Sequence, residues 1–334
     1  MNSDVPFTRH RPPRLFFKGM LIPLIFVLIS AIQPWQANVA AGNLNKPIDL
    51  DDPTETRTPT TTLRPTVTAS PTVTPFPLTP MPTLGPTAVP TPVPASPPAP
   101  DGIKRTANVP ILMYHYISAP PNPNDTIRVG LSVPPEYFAA QMKLLADNGY
   151  HTITLLDLYQ YLATGRDLPD KPIVLTFDDG YVDNYENAFP ILQTYGLVGT
   201  FFVLTDPSDY ADPNYLSWPT IKEMSDNGMD IELHSKDHID LRYCSYECLI
   251  FQIIGGRQSI EGHTGRPVNF MAYPSGKYND ALLHFLNANN FWAAVTTVNG
   301  RVHSLSESLI WTRIRIPGQL TLEGFTKLLG ITNK

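Results

Sequence analysis

The sequence predicts an α/β fold in which parallel strands close into a barrel, and three observations lead to this prediction. Apolar segments with strand character alternate with segments of helical periodicity from Val109 onward. Single helices between successive strands are typical of parallel βαβ units. Seven or eight such units in about 220 residues suit a barrel better than an open sheet. In that architecture, functional residues gather where strands end and loops begin.

The predicted elements follow one another along the chain. Strands are expected where short apolar runs occur, and helices where apolar residues recur at helical spacing and a glycine often follows. The predicted strands are 109–117, 151–156, 172–177, 199–204, 229–233, 269–273 and 292–297. The predicted helices are 135–148, 156–164, 184–195, 220–227, 245–262 and 281–288.

A proline- and threonine-rich segment separates this domain from the N-terminus. Residues 53–100 contain 15 prolines and 14 threonines. The large apolar residues that remain are too few for their burial to offset the entropy lost on ordering the segment. We therefore expect a disordered linker at 43–105 and one folded domain at 106–334. Polyproline II geometry would let the 48 residues of 53–100 extend on the order of 150 Å.

The first 42 residues are predicted to be a signal peptide or a membrane anchor. A basic start precedes the uncharged run Gly19–Ile32, and small residues suited to a signal peptidase follow at Val39–Ala41. Possible membrane anchoring would use residues 19–36, a run somewhat shorter than the ~20 apolar residues that a bilayer requires. Either alternative exports the rest of the chain, so we expect an extracellular or cell-surface protein.

The charge distribution excludes nucleic acid as an expected partner. Residues 106–334 contain 15 Lys and Arg against 24 Asp and Glu, a net charge of −9. Such a domain repels polyphosphate, and no basic stripe with interleaved aromatic residues occurs. Neutral or cationic substrates are the better expectation.

Residues that could take part in catalysis or binding follow three of the predicted strands. Asp178 and Asp179 end the strand at 172–177, and an Asp-Gly turn is the simpler interpretation of that pair alone. His234 and His238 follow the strand at 229–233 at a spacing that two imidazoles use to bind one metal ion. A carboxylate added to them completes a three-ligand catalytic metal site. The third strand end is the turn in Met271–Gly276, whose backbone N–H groups could bind an oxyanion.

The two cysteines, Cys244 and Cys248, are four residues apart. On a helix that spacing places them on one face, so a disulfide that ties down a helix start is plausible in an oxidising compartment. A metal site is the weaker alternative, because the sequence has no second cysteine pair.

Together, TFDDG, HSKDH and AYPSGKY resemble the motifs of the NodB-homology polysaccharide deacetylases, carbohydrate esterase family 4. The resemblance covers nearly all of Val109–Gly318. It implies a distorted (β/α) barrel that hydrolyses acetyl groups on glycans with a divalent metal ion. It also implies that Asp178 is the general base and that Asp179, His234 and His238 bind the metal.

The resemblance further implies a substrate-binding turn and a choice of metal. The turn consists of Tyr273, Pro274, Ser275 and Gly276, and a backbone N–H near Ser275 would help to hold the oxyanion. Zinc is the expected ion, although two imidazoles and a carboxylate also suit cobalt, nickel or iron.

The chain departs from the common family pattern at two positions. Ala272 replaces the arginine of the third motif that braces the base, and Arg313 or Arg315 could substitute for it. The late Leu-His motif that supplies the general acid is missing. VPILMYHYI and YPSGKY resemble the subgroup acting on poly-β-1,6-N-acetylglucosamine, where an early histidine is the acid. This resemblance implies that His115 is the general acid, the alternative being a buried structural histidine.

The expected function is an exported, metal-dependent hydrolase that removes N-acetyl groups from an N-acetylglucosamine-type polysaccharide. The expected partner is therefore an acetylated polysaccharide. O-acetyl xylan and peptidoglycan are alternative substrates. A non-catalytic glycan-binding module on the same barrel is the alternative of a different class, but binding alone has no need of a base such as Asp178.

Overall fold

The computed structural model describes residues 96–331, and its centre is a parallel β-barrel surrounded by helices. The strands are numbered in chain order. They are β1 Thr106–Asn108, β2 Ile111–Tyr114, β3 His151–Thr152, β4 Pro172–Phe177, β5 Thr200–Val203, β6 Asp230–Leu233, β7 Phe270–Ala272, β8 Ala293–Asn299, β9 Val302–Ser304 and β10 Trp311–Arg315.

Seven of these strands close the barrel. Their order is β2-β10-β8-β7-β6-β5-β4, and β4 pairs back onto β2, with every neighbouring pair parallel. Strand β3 pairs in parallel with the first two residues of β4, and β1 and β9 form a separate antiparallel pair. The predicted parallel (β/α) barrel is therefore confirmed.

Helices connect the strands and cover the outside of the barrel. They are α1 Thr126–Leu131, α2 Pro135–Asp147, α3 Leu155–Thr164, α4 Phe189–Tyr195, α5 Thr205–Asp209, α6 Trp218–Asp226, α7 Tyr246–Leu249, α8 Gly256–Thr264, α9 Asp280–Ala288 and α10 Leu322–Leu329. Two π-helical segments precede α4 and α8, at Asn184–Ala188 and Ile250–Gly255. Three 3-10 segments lie at Leu241–Tyr243, Pro274–Gly276 and Leu305–Ile310.

The structure differs from the predicted elements in several places. The predicted strand 151–156 is only two residues long, because Thr154 caps α3 in a capping box with Asp157 and turns the chain into the helix. The elements that were not predicted are β1, β9, β10, α1, α5 and α10. The sequence of β10, WTRIR, places arginines at alternate positions, and an apolar-run criterion does not find such a strand.

The core consists of two buried clusters on the two faces of the barrel strands. The outer cluster joins residues such as Leu175 and Phe201 to helix residues such as Phe138. The inner cluster includes Val174 and Phe202, which alternate with the outer residues along the strands. Side chains of α3 join this inner cluster.

Within 96–331, no helix is long and apolar enough to cross a membrane. The predicted signal or anchor segment at 1–42, including residues 19–36, lies outside the described residues, as does most of the predicted linker at 43–105.

A buried carboxylate joins two barrel strands where their backbone pairing is short. Strands β6 and β7 share one register pair, Leu233 with Met271. The carboxylate of Glu232 accepts hydrogen bonds from the backbone N–H groups of Asn269 and Phe270, at 3.0 and 2.9 Å. Burial raises the pKa of Glu232 well above its ordinary value, which favours the neutral carboxyl. Glu232 therefore replaces missing ladder bonds on the inner face of the barrel.

We predict that Glu232→Leu lowers the free energy of unfolding by about 2–6 kcal/mol, because two buried N–H groups lose their acceptor. Urea denaturation measures this change. Glu232→Gln is the matched control, since its amide oxygen can accept the same bonds and it resembles the neutral carboxyl. A loss in the glutamine variant as large as in the leucine variant would contradict the assigned role.

Candidate active site

The two adjacent aspartates after β4 have different environments. Strand β4 pairs with β2, and the N–H of Asp178 still donates to the carbonyl of Tyr114 at 3.0 Å. Asp178 therefore continues the strand geometry. Asp179 has a φ of 74°, in the left-handed region, and this turn separates its side chain from that of Asp178. The two carboxylates therefore contact different partners.

Asp178 forms a buried, bidentate ion pair with Arg313 of β10. Both guanidinium N–H₂ groups donate to the carboxylate at 2.7 Å. Arg313 also donates to the hydroxyl of Thr176 at 3.0 Å and to the carbonyl of Thr296 at 2.9 Å. Burial acts to raise the pKa of Asp178, but the charge and hydrogen bonds of Arg313 outweigh it and lower the pKa. Of the two arginines considered from the sequence, Arg313 is the one that contacts Asp178.

His115 lies beside the carboxylate of Asp178 and comes from the neighbouring strand, β2. It directly follows β2, and its Nε2 is 4.0 Å from an oxygen of Asp178. Its side chain is 12% exposed, so one edge of the ring reaches the surface of the site. Burial lowers the pKa of His115 and outweighs the attraction of Asp178 and Asp179.

Asp179, His234 and His238 converge on one point. The Oδ1 atom of Asp179 lies 3.2 Å from Nε2 of His234 and 3.5 Å from Nε2 of His238. One potential ligand atom from each residue lies within 4.8 Å of the other two. Nδ1 of His234 donates to the carbonyl of Ala272 at 2.8 Å, which leaves the Nε2 lone pair directed at Asp179.

These three residues fit a divalent metal ion. Tetrahedral zinc with ligand bonds of about 2.0–2.1 Å separates its ligand atoms by about 3.3 Å, which is close to both measured distances. The Oδ1 atom of Asp179 is buried, and no side chain or backbone group within 96–331 donates a hydrogen bond to it. Burial acts to raise the pKa of Asp179, but its interaction with His234 outweighs this and lowers the pKa. An ionised, unsatisfied oxygen between two imidazoles is a donor set suited to a cation.

The loop at 234–238, called the histidine loop below, has an unusual backbone. Ser235 and His238 have φ values of 72° and 64°, in the left-handed region that non-glycine residues rarely adopt. The hydroxyl of Ser235 accepts the N–H of His238 at 3.1 Å and so links the two ends of this loop. The loop therefore folds back on itself, and this turn brings two residues at i and i+4 to one point without an α-helix.

The third motif forms a tight turn after β7, next to the residue that orients His234. Tyr273 is fully buried: its phenol donates to the carbonyl of Leu309, its N–H donates to Val295 and its carbonyl accepts from Gly276, so it supports the turn from inside. Ser275 has a φ of 55°, and a Cβ at Gly276 would lie 2.1 Å from the hydroxyl of Thr297. Glycine is therefore required there for the turn to pack against β8.

An aromatic stack that the sequence did not reveal lies beside the carboxylates. The rings of Tyr116 and Tyr181 stack at 3.6 Å, and Tyr215 lies 5.2 Å from Tyr181. The guanidinium of Arg128 covers the other face of Tyr116 at 2.9 Å. Their positions in the sequence could have indicated them, because Tyr116 follows His115 and Tyr181 follows Gly180 directly after the two aspartates. These rings form one wall of the site.

The two cysteines are bonded to each other. The disulfide between Cys244 and Cys248 connects the end of the 3-10 segment Leu241–Tyr243 to α7, with a Cα–Cα distance of 5.2 Å. The predicted pairing at a helix start is thus present in the structure.

The barrel with these polar side chains at its carboxyl ends defines a (β/α)-barrel hydrolase site, and comparisons with known proteins identify the family. The family model "Polysaccharide deacetylase" matches residues 165–293. YxkH of Bacillus subtilis (strain 168), which is named for the same family, is 31% identical over 216 residues, 64% of this chain and 74% of that protein. The chain therefore belongs to the polysaccharide deacetylase family.

A solved structure and a second relative extend this comparison. The deacetylase PplD of Streptococcus pyogenes, in complex with acetate, has a TM-score of 0.62 and 30% identity, covering 68% of this chain and 98% of that chain. The poly-β-1,6-N-acetyl-D-glucosamine N-deacetylase of Staphylococcus epidermidis is 28% identical over 138 residues, 38% of this chain and 47% of that protein. The protein is thus a polysaccharide deacetylase, a hydrolase, and the sequence resemblance is confirmed.

We predict that Arg313→Met lowers the free energy of unfolding by about 3–5 kcal/mol at neutral pH, because it leaves the Asp178 carboxylate buried without a partner. Arg313 lowers the folded-state pKa of Asp178, so the stability it adds is present above the unfolded pKa and is lost as the pH falls. The difference between wild type and variant should therefore shrink in acid. Denaturant titrations at several pH values measure it.

The double variant Asp178→Asn with Arg313→Met is the control for this prediction. It removes both charges, so it should be more stable than Arg313→Met alone. Equal stability of the two would contradict a direct charge interaction.

Proposed function

We propose that this protein is a metal-dependent N-deacetylase of an N-acetylglucosamine-type polysaccharide at the cell surface. The observation that carries the proposal is the convergence of Asp179, His234 and His238 next to a separately held carboxylate, Asp178. A metal site and a base side by side are the minimum required for hydrolysis of an amide by activated water.

The side chains of Asp179, His234 and His238 would hold a divalent ion, with zinc the expected one and cobalt, nickel or iron also compatible. When bound there, the ion supplies Lewis-acid polarisation of the acetyl carbonyl and lowers the pKa of a water molecule. The hydrogen bond from His234 to the Ala272 carbonyl orients the imidazole so that Nε2 faces the other two ligands.

Asp178 is proposed as the general base that accepts a proton from the attacking water. Its carboxylate is 3% exposed, and Arg313 keeps it ionised and fixed in one orientation. Because Arg313 occupies both oxygens, the carboxylate cannot rotate away from the site. The arginine on β10 thereby does for the base what the missing third-motif arginine would do at Ala272.

His115 is proposed as the general acid that protonates the leaving amine. Its Nε2 lies 4.0 Å from Asp178, so acid and base can flank the same acetamido group. The turn that contains Tyr273, Pro274, Ser275 and Gly276 is proposed to contact substrate at its exposed residue, Ser275, with an N–H near Ser275 directed at the developing oxyanion.

The charge of the domain and the names of its relatives support the proposed substrate class. A domain with a net charge of −9 suits a neutral glycan that becomes cationic on deacetylation. One relative is named as a poly-β-1,6-N-acetylglucosamine N-deacetylase, although it aligns with only 38% of this chain. We further propose that 1–42 exports the chain, that 43–105 is a linker, and that 106–334 is the catalytic domain.

We predict that the protein releases acetate from N-acetylglucosamine oligomers and that a chelator abolishes the release, with zinc restoring it. Asp178→Asn should lower kcat by about 10²–10⁴-fold, because it removes the base, while retaining one bound metal per chain. His234→Ala should instead lose the metal. Acetate assays combined with metal analysis distinguish the two variants.

The substrate assignment is tested by running O-acetyl xylan and peptidoglycan beside the β-1,6 and β-1,4 oligomers. Preferential release from either alternative would overturn the N-acetylglucosamine assignment but not the metal site. Full activity of metal-free protein would overturn the metal site itself.

We predict that His115→Gln lowers kcat on N-acetylglucosamine oligomers by about 10²–10⁴-fold and leaves hydrolysis of 4-nitrophenyl acetate nearly unchanged. An amine must be protonated as it leaves, whereas nitrophenolate leaves without an acid. His303→Gln is the matched control, because that histidine is buried and bonds to the Val109 carbonyl away from the site. Equal losses on both substrates would contradict the role of His115 as the acid.

A further inference from the structure

A buried lysine lies in the middle of the histidine loop and points away from the proposed metal ligands. Lys236 is 7% exposed, and its ammonium group lies 2.8 Å from Asp206 and 3.0 Å from Asp209, both on α5. Both carboxylates lie within ion-pair distance of the ammonium group, so the lysine is doubly paired behind the site.

The backbone of the same residue is held as firmly as its side chain. The N–H of Asp206 donates to the carbonyl of Lys236 at 2.9 Å. The N–H of Lys236 donates to the buried side-chain oxygen of Gln252 at 3.1 Å. Lys236 is thus fixed from both sides at a position midway between His234 and His238.

The segment that pairs with Lys236 also forms hydrogen bonds with the loop that contains Asp179. This segment, residues 205–217, begins with α5 and ends beside Gly180. The N–H of Leu216 donates to the carbonyl of Gly180 at 2.8 Å, and the N–H of Val182 donates to the carbonyl of Asn214 at 2.9 Å. One end of the segment therefore contacts the histidine loop, and the other end contacts the loop of Asp179.

We propose that Lys236 is a positioning residue that locks the histidine loop onto the segment 205–217 and so sets the distance between His238 and Asp179. The proposal rests on the proposed metal site. The left-handed backbone at Ser235 and His238 is unfavourable by itself and persists only where surrounding contacts determine it. The ion pairs of Lys236 are the contacts at the centre of that loop.

The role of Lys236 predicts weaker and altered metal binding when its charge is removed. In the full-length protein, Lys236→Met should bind zinc about 10–100-fold more weakly, the effect typical of residues that orient ligands. Competition with a chromophoric chelator measures the affinity. The visible spectrum of the cobalt-loaded variant should also differ from wild type, because a displaced His238 changes the ligand field.

Two variants separate positioning from general stability. Lys222→Met removes an exposed lysine that pairs with Asp226 on α6, and it should leave zinc affinity and the cobalt spectrum unchanged. Lys236→Arg keeps the charge between Asp206 and Asp209 and should bind zinc more tightly than Lys236→Met. Failure of this rescue would overturn the proposal.

Further outcomes keep the test decisive. Wild-type zinc affinity and cobalt spectrum in Lys236→Met would overturn the positioning role and leave the metal site intact. If wild type itself bound no zinc or cobalt, the proposed function would fail with it. If Lys236→Met does not fold, Asp209→Asn removes one partner, which is 33% exposed, and unchanged affinity there would overturn the proposal.

Discussion

The site depends on a buried ion pair between the two strands that flank β2 in the barrel. Arg313 on β10 and Asp178 after β4 meet across the interior, where neither charge can be satisfied by water. Isolated buried charges are strongly unfavourable, so each residue requires the other. The fork geometry of the guanidinium satisfies both carboxylate oxygens, and its remaining bonds reach Thr176 and Thr296. Closure of the barrel therefore also fixes the orientation of the Asp178 carboxylate.

This arrangement gives two neighbouring carboxylates different environments. Asp178 receives hydrogen bonds from a cation that belongs to the fold, whereas Oδ1 of Asp179 receives none within 96–331 and faces two imidazoles. The pKa of each carboxylate is lowered, by Arg313 for Asp178 and by His234 for Asp179. Environment, and not residue type, thus distinguishes the proposed base from the proposed metal ligand.

The fold and the candidate ligand residues could be predicted from the sequence because their signals are local. The strand at 172–177 is a run of apolar residues, and its bounds agree with β4. His234 and His238 are recognised by spacing. Arg313 could be named only as one of two candidates, because its contact with Asp178 spans 135 residues of sequence. No local pattern encodes such a separation, and only barrel closure between β10 and β2 brings the two together.

The contacts of the segment 205–217 also could not be predicted from its own sequence. Its sequence, rich in aspartate and proline, resembles an ordinary loop, and no element was predicted there. In the structure, its acidic residues face Lys236, and its far end pairs with the loop after Asp179. Four of the seven non-glycine residues with left-handed φ in the described part of the chain, Asp179, Ser235, His238 and Ser275, lie in the loops of the site. Each costs about 1–2 kcal/mol as a conformation, so the surrounding contacts must stabilise them together. A site built from strained loops needs a frame between those loops, and this segment is placed to be that frame.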